Sequence, residues 1–124
     1  MNILGVGWIG LVSDRPQTRR FYKQVLGLRL IEQKPAYAYY TINAATHLEV
    51  LSTASRLAGR QRADAPAIGF RVDHLDNAVQ ELGVAGVELR SGIEEWRSDN
   101  EQHRWVCFDD PEGHTLLLLE RRRI

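Results

Sequence analysis

Residues 3–12, ILGVGWIGLV, are an apolar run of large aliphatic residues interrupted by Gly5, Gly7 and Gly10, which predicts a buried strand. Polar residues follow, and Phe21, Tyr22, Val25 and Leu26 then recur at i, i+3 and i+4 spacing. That stripe predicts a helix to about Leu26, with Asp14 as its N-cap, Pro16 in the first turn and Gly27 as its stop. Three strands are predicted next, at 28–33, 37–42 and 47–52, with turns near Pro35 and Asn43–Ala45. After the polar, small-residue-rich stretch 53–66 the order repeats: a strand at 67–72, a helix over about 75–83, and strands at 87–90, 104–109 and 115–120. Asp110-Pro111-Glu112-Gly113 marks a tight turn before the last strand. The polar stretch SGIEEWRSDNEQH, residues 91–103, reads as a long loop, either mobile or part of a binding site.

The chain is therefore a tandem repeat of a βαβββ module. Val12 answers Val72 at an offset of 60 (72 − 12), Gly27 answers Gly86 at 59 (86 − 27), and Glu49 falls opposite Leu117 at 68 (117 − 49). Halves of about 60 residues are marginal alone, so one domain, 1–124, is expected, with module 1 at 1–53, a linker at 54–66 and module 2 at 67–124.

Composition narrows the function classes. Hydrophobic content of 44% and charged content of 26% are those of an ordinary globule. Sixteen basic residues balance sixteen acidic ones, which argues against a nucleic-acid or membrane-surface binder. The run Arg121-Arg122-Arg123 reads as a solvated tail. A single cysteine, Cys107, excludes an internal disulfide framework, suits a reducing compartment, and in the apolar stretch WVCF reads as a buried inert thiol. The first apolar run lacks a basic flank and a cleavage site and is too short to span a bilayer, so a cytoplasmic protein is expected.

Two βαβββ modules, with FYKQVLGL closing the first helix and FDDPEGHTLLLLE closing the second module, resemble the vicinal oxygen chelate superfamily, which includes glyoxalase I, extradiol dioxygenases and bleomycin resistance proteins. The resemblance implies an α+β fold of two tandem βαβββ modules forming curved, cup-shaped mixed sheets with helices on the outer faces. It also implies a site formed by the two cups together, and a homodimer. In metal-dependent members the first and last strand of each module supply ligands, and the matching positions are Gly7, Glu49, Ala67 and Leu117. Only Glu49 carries a donor, and a slip of one residue to Val6 or Trp8, Pro66 or Ile68, and Leu116 or Leu118 adds none. His47 and Glu49 form the best partial site, His74 falls at a helix start, and His114 lies in a turn, so no metal or other cofactor is expected.

With Val12 and Val72 taken as helix-facing, alternation turns Ile9, Leu11, Tyr37, Tyr39, His47, Glu49 and Leu51 into the first cup. It turns Gly69, Arg71, His103, Trp105, Cys107, Thr115, Leu117 and Leu119 into the second, and leaves Trp8 in the core. Gly7 and Gly69 make room for a ligand or let the sheet curl. Tyr37, Tyr39, His47, Glu49, Arg71, His103 and Trp105 are the candidate ligand-binding residues, aromatic walls with a few polar handles. Arg71 would take a carboxylate or phosphate, or pair with Glu49. The first reading is a metal-independent small-molecule-binding protein resembling the bleomycin resistance type, although zero net charge disfavours a strongly cationic ligand. The alternative is a glyoxalase- or dioxygenase-like lyase, isomerase or ring-cleaving enzyme, with displaced metal ligands or with metal-free acid–base catalysis by Glu49 and His47 or His103. A third reading is a dimeric scaffold with a plugged cup.

Overall fold

In the computed structural model, which describes residues 1–61 and 64–124, the βαβββ order occurs twice. The first pass is β1 (Ile3–Val12), α1 (Pro16–Arg20) continued by a π-helical turn (Phe21–Val25), β2 (Arg29–Lys34), β3 (Tyr37–Thr41) and β4 (His47–Leu51). The second is β5 (Ala67–Val72), α2 (Leu75–Val84), β6 (Glu94–Arg97), β7 (Glu101–Asp109) and β8 (Thr115–Arg123). The class is α+β with curved, cup-shaped mixed sheets. The chain forms two compact units, Trp8–Ile68 and Met1–Gly7 with Gly69–Ile124. Of the expected linker, residues 58–60 form a 3₁₀ turn, while Arg62 and Ala63 lie outside the described residues.

In the Trp8–Ile68 unit the strand order is β2-β3-β4-β1, with β1 parallel to β4 and the other pairs antiparallel. Ala38, Tyr40, Leu48 and Val50 form its buried core, joined by Leu11, Tyr22, Leu28 and Leu30. Tyr22 brings the helical segment onto this face, and the Tyr40 hydroxyl donates to the Arg19 carbonyl at 2.7 Å. The predicted single α-helix instead widens after Arg20, and the Leu26 N–H reaches back five residues to the Phe21 carbonyl at 3.1 Å. Asp14 is not the cap. Its carboxylate accepts from the Thr53 N–H at 2.9 Å and the Thr53 hydroxyl at 2.7 Å, fastening the end of β1 to the segment after β4, and Arg15 stands at the N-cap.

In the other unit the order is β5-β8-β7-β6, antiparallel between β6 and β7 and between β7 and β8. Leu75, Ala78 and Leu82 of α2 pack on Val72, Val106, Phe108 and Leu118. The strand expected at 87–90 shrinks to a bridge between Leu89 and Phe108. Its place in the module is taken by β6, inside the stretch expected to be a loop, and β7 begins at Glu101 rather than 104. Charge misled the reading here, because the hairpin satisfies its polar groups locally. Gln102 donates to Glu95 at 2.9 Å, and the Ser98 N–H bonds the Glu101 carbonyl at 2.9 Å. A strand at the end of a sheet with one wet face can carry such residues.

The supposed basic tail is also strand, since β8 runs to Arg123 and pairs with β7 as far as Glu101. On the α2 side of this sheet Glu120, 3% exposed, accepts from Arg122 at 2.9 Å and Arg104 at 3.4 Å, and Arg104 also reaches Asp76 of α2 at 3.0 Å. A buried carboxylate is tolerated only when paired in this way. Glu120→Ala leaves Arg104 with Asp76 alone and is expected to lower the unfolding free energy by about 3–5 kcal/mol in a urea titration. A change within about 0.5 kcal/mol, as for an ordinary surface site, would show the network to be dispensable.

Candidate functional site

The faces of the strands follow from which residues enter the two cores. In β3, β4, β5, β7 and β8 the expected alternation holds, so Tyr37, Tyr39, His47 and Glu49 face away from the first unit's core, as Arg71, His103 and Trp105 do from the second's. In β1 it is off by one. Leu11 belongs to the helix-side core and pairs with Val50, so Ile9 and Leu11 leave the cup and Trp8, Gly10 and Val12 enter it, opposite His47, Glu49 and Leu51. Trp8 is buried, as expected, but on the cup side.

Trp8 and Glu49 meet there. The Trp8 Nε1–H donates to Glu49 Oε1 at 2.8 Å, and the indole lies across Gly10, where a Cβ would stand 2.6 Å from the ring's Cζ2. Gly10 is thus a strand glycine that admits a neighbouring ring. Burial pushes the Glu49 carboxyl up to about 7, the Trp8 hydrogen bond opposes that shift, and the charge of Glu32 adds to it. Glu32 reaches this face through a β-bulge between Leu30 and Glu32, which reverses the alternation of β2 and pairs Glu32 with Tyr39. It accepts from the Tyr37 hydroxyl and lies 3.7 Å from Lys34 Nζ. Burial, then Glu32, raises the Tyr37 phenol well above its ordinary range. Tyr39 stacks on His47, with ring centroids 4.8 Å apart and planes 9° from parallel. Gln61 donates to the Gly10 carbonyl at 2.8 Å.

The second unit presents a different set. His103 lies 5.0 Å from Trp96 by ring centroids and 3.4 Å from the Glu101 carboxylate. Burial and then the charge of Arg121 hold its imidazole below the usual histidine range, against the pull of Glu101. Arg121 donates to the Gly7 carbonyl at 2.6 Å, and a Cβ on Gly7 would lie 2.9 Å from Cδ of Arg71. Cys107 is buried and unbridged. Trp8, Glu32, Gln61, Trp96 and Arg121 escaped the sequence reading. Only Trp8 carried a legible signal, its place beside a strand glycine; Glu32 depended on a bulge, and Trp96 and Arg121 sat in segments taken for loop and tail.

These features can be set beside known proteins. The model of the Glyoxalase/Bleomycin resistance protein/Dioxygenase superfamily matches residues 6–118. The chain belongs to this superfamily. Among solved structures, a superfamily member from Vibrio splendidus 12B01 is similar at 13% identity and TM-score 0.67, over 92% of this chain and 96% of that one. Methylmalonyl-CoA epimerase from Mycobacterium tuberculosis is similar at 18% identity and TM-score 0.67, over 95% and 88%. The Mn(II)-bound glyoxalase from Novosphingobium aromaticivorans is similar at 12% and TM-score 0.69, over 95% of this chain and 39% of that one. At these identities the likeness is one of fold.

Superfamily membership raises the question of a divalent metal, and the residues here do not fit one. The space beside Gly7 is taken by Arg71, and Trp8, which the strand faces place beside Glu49, holds that carboxylate through its indole. Ala67 and Leu117 are buried apolar side chains. Among the described residues no three of His, Cys, Asp and Glu converge on a point where an ion could sit.

Glu49 has a consequence for stability. Because its folded-state value of about 7 exceeds the ordinary 4.5, the folded state binds the extra proton between those values. The contribution of Glu49 to stability is fully present below about pH 4.5, falls as pH rises, and is lost above about 7, a change of up to about 3 kcal/mol. Glu49→Gln is expected to flatten this slope in urea titrations at pH 5 and pH 8. An unchanged slope in the variant would assign it to another group.

Proposed function

We propose that this superfamily member is a metal-independent small-molecule-binding protein, in that respect resembling bleomycin resistance proteins, which holds a planar or amphipathic ligand in an aromatic-lined cup. One observation carries the reading: the Glu49 carboxylate is engaged by the Trp8 indole at 2.8 Å, beside the stacked Tyr39 and His47, instead of by a converging set of donors. A half-buried carboxyl among aromatic faces suits a ligand with a ring and a hydrogen-bonding group. The reading includes a homodimer, supported by the exposed apolar residues Ile3, Leu4 and Val6 of β1. It also includes a reducing, cytoplasmic setting, supported by Cys107 being the single cysteine of the sequence. No described helix is long and apolar enough to cross a membrane.

A second reading, metal-free acid–base catalysis, is favoured by one specific property. A carboxyl pushed up to about 7 is half-protonated near neutral pH and can both give and accept a proton. In this reading Glu49 is the acid or base, and the Trp8 N–H, which bonds the charged form, steadies it after it releases its proton.

Thermal-shift measurement against planar aromatic and amphipathic compounds is the test, with metal analysis of the same sample after incubation with Ni²⁺, Zn²⁺ and Mn²⁺. The expected outcome is less than stoichiometric metal and at least one compound class that stabilises the protein, by roughly 2.7 kcal/mol at a hundredfold excess over Kd. That gain is expected to drop in Glu49→Gln and Tyr39→Ala. Stoichiometric metal retained through Glu49 would overturn the metal-free assignment, and absence of any stabilising class would overturn the binding assignment. Turnover of a stabilising compound, lost in Glu49→Gln, would select the catalytic reading.

A further inference from the structure

We propose that the cup of the second unit contains an anion subsite, in which Arg71 seats the carboxylate or phosphate group of a ligand whose aromatic body lies against Trp105 and Trp96. This rests on the small-molecule reading above and adds the chemical class of the ligand.

Gly7 is where the subsite is built. A side chain at this position would collide with Cγ and Cδ of Arg71, and the nearest atom beyond them is Cδ1 of Leu119, at 3.4 Å from the place of a Cβ. The bare glycine therefore lets the Arg71 stem lie flat against β1 and beside Leu119. Leu119 pairs with Trp105 in the β7–β8 register, and Trp96 pairs with His103 in the β6–β7 register. One face of the sheet thus runs from Arg71 over Leu119 to Trp105, with Trp96 beside it, cationic at one end and aromatic at the other.

The guanidinium is held but not neutralised. Arg71 Nε is buried and has no hydrogen-bond partner among the described residues, and no carboxylate among them pairs with Arg71. Trp105 Nε1 is a second buried donor on this face with no partner among the described residues. Buried donors of this kind cost about 1–3 kcal/mol each unless something accepts from them. A second arginine stands close by, because Arg121 donates to the carbonyl of the same Gly7 at 2.6 Å. The acids of this face are committed elsewhere: Glu101 is exposed and lies against His103 at 3.4 Å, and Glu94 meets the Ser91 hydroxyl at 3.3 Å. Two arginines around one glycine and two donors awaiting acceptors call for an oxyanion, which Arg binds in fork geometry. The two tryptophans supply the apolar and stacking surface that a bare inorganic anion would not use.

The experiment is titration of the full chain by calorimetry and tryptophan fluorescence with three probes: indole-3-acetate, phenyl phosphate and the uncharged indole-3-acetamide. At least one anion is expected to bind about tenfold or more tighter than the amide, with an affinity that falls as NaCl is added. Arg71→Gln is expected to abolish that preference while leaving amide binding in place, and Arg71→Lys to restore part of it; far-UV circular dichroism confirms that both variants fold. Whichever of the carboxylate and the phosphate shows the larger preference identifies the group. Equal binding of anions and amide by the parent, or a tenfold preference that survives in folded Arg71→Gln, overturns the subsite and leaves the small-molecule reading standing. Failure of all three probes to bind overturns the subsite, and the broader compound screen decides the small-molecule reading separately.

Discussion

The Trp8 indole, laid over Gly10 and donating to Glu49, is the contact on which the first unit's cup depends. It requires three things of the chain at once. Gly10 must lack a side chain, Trp8 must fall on the concave face, and β1 must run parallel to β4 in a register that sets Trp8 against His47 and Gly10 against Glu49. Given these, a carboxyl is half-buried with one good donor and aromatic neighbours, and its proton affinity rises as a result. Fold, burial and chemistry meet in one hydrogen bond.

The second unit uses a glycine in the same strand for a different end. Gly7 admits the Arg71 stem as Gly10 admits the Trp8 ring, and its carbonyl anchors Arg121. One cup face has gathered Glu32 and Glu49, the other Arg71, Arg121 and His103 together with Glu94 and Glu101. Among the described residues, neither face presents the converging donors that a divalent ion needs. Membership in the superfamily accounts for the fold, and the chemistry of each concave face is set by the side chains that occupy it.

Much of the fold was legible because the relevant signals are local and repeated. Both helix positions, the turn Asp110–Gly113 and the faces of β3, β4, β5, β7 and β8 follow from period-two or period-3.6 patterning and from turn residues. Residues 8–12, WIGLV, are apolar on both faces, so alternation had nothing to grip, and the choice of Val12 as helix-facing put the wrong half of the strand in the cup. The β6–β7 hairpin was hidden for the opposite reason. Its polar residues are satisfied by one another across the two strands, and a sequence window does not contain the partner strand.

The sequence by itself determined the tandem βαβββ order, the single cysteine, the balanced charge and the presence of only one donor among the four expected metal positions, because each is a matter of residue identity or near-neighbour spacing. Tertiary structure decided that Trp8 rather than Leu11 lies in the cup, where it meets Glu49, that a bulge brings Glu32 to Tyr37, and that Gly7 carries two arginines. Each of these is a contact across strands, where a shift of one residue exchanges the two faces, and only the paired register settles which side chains meet.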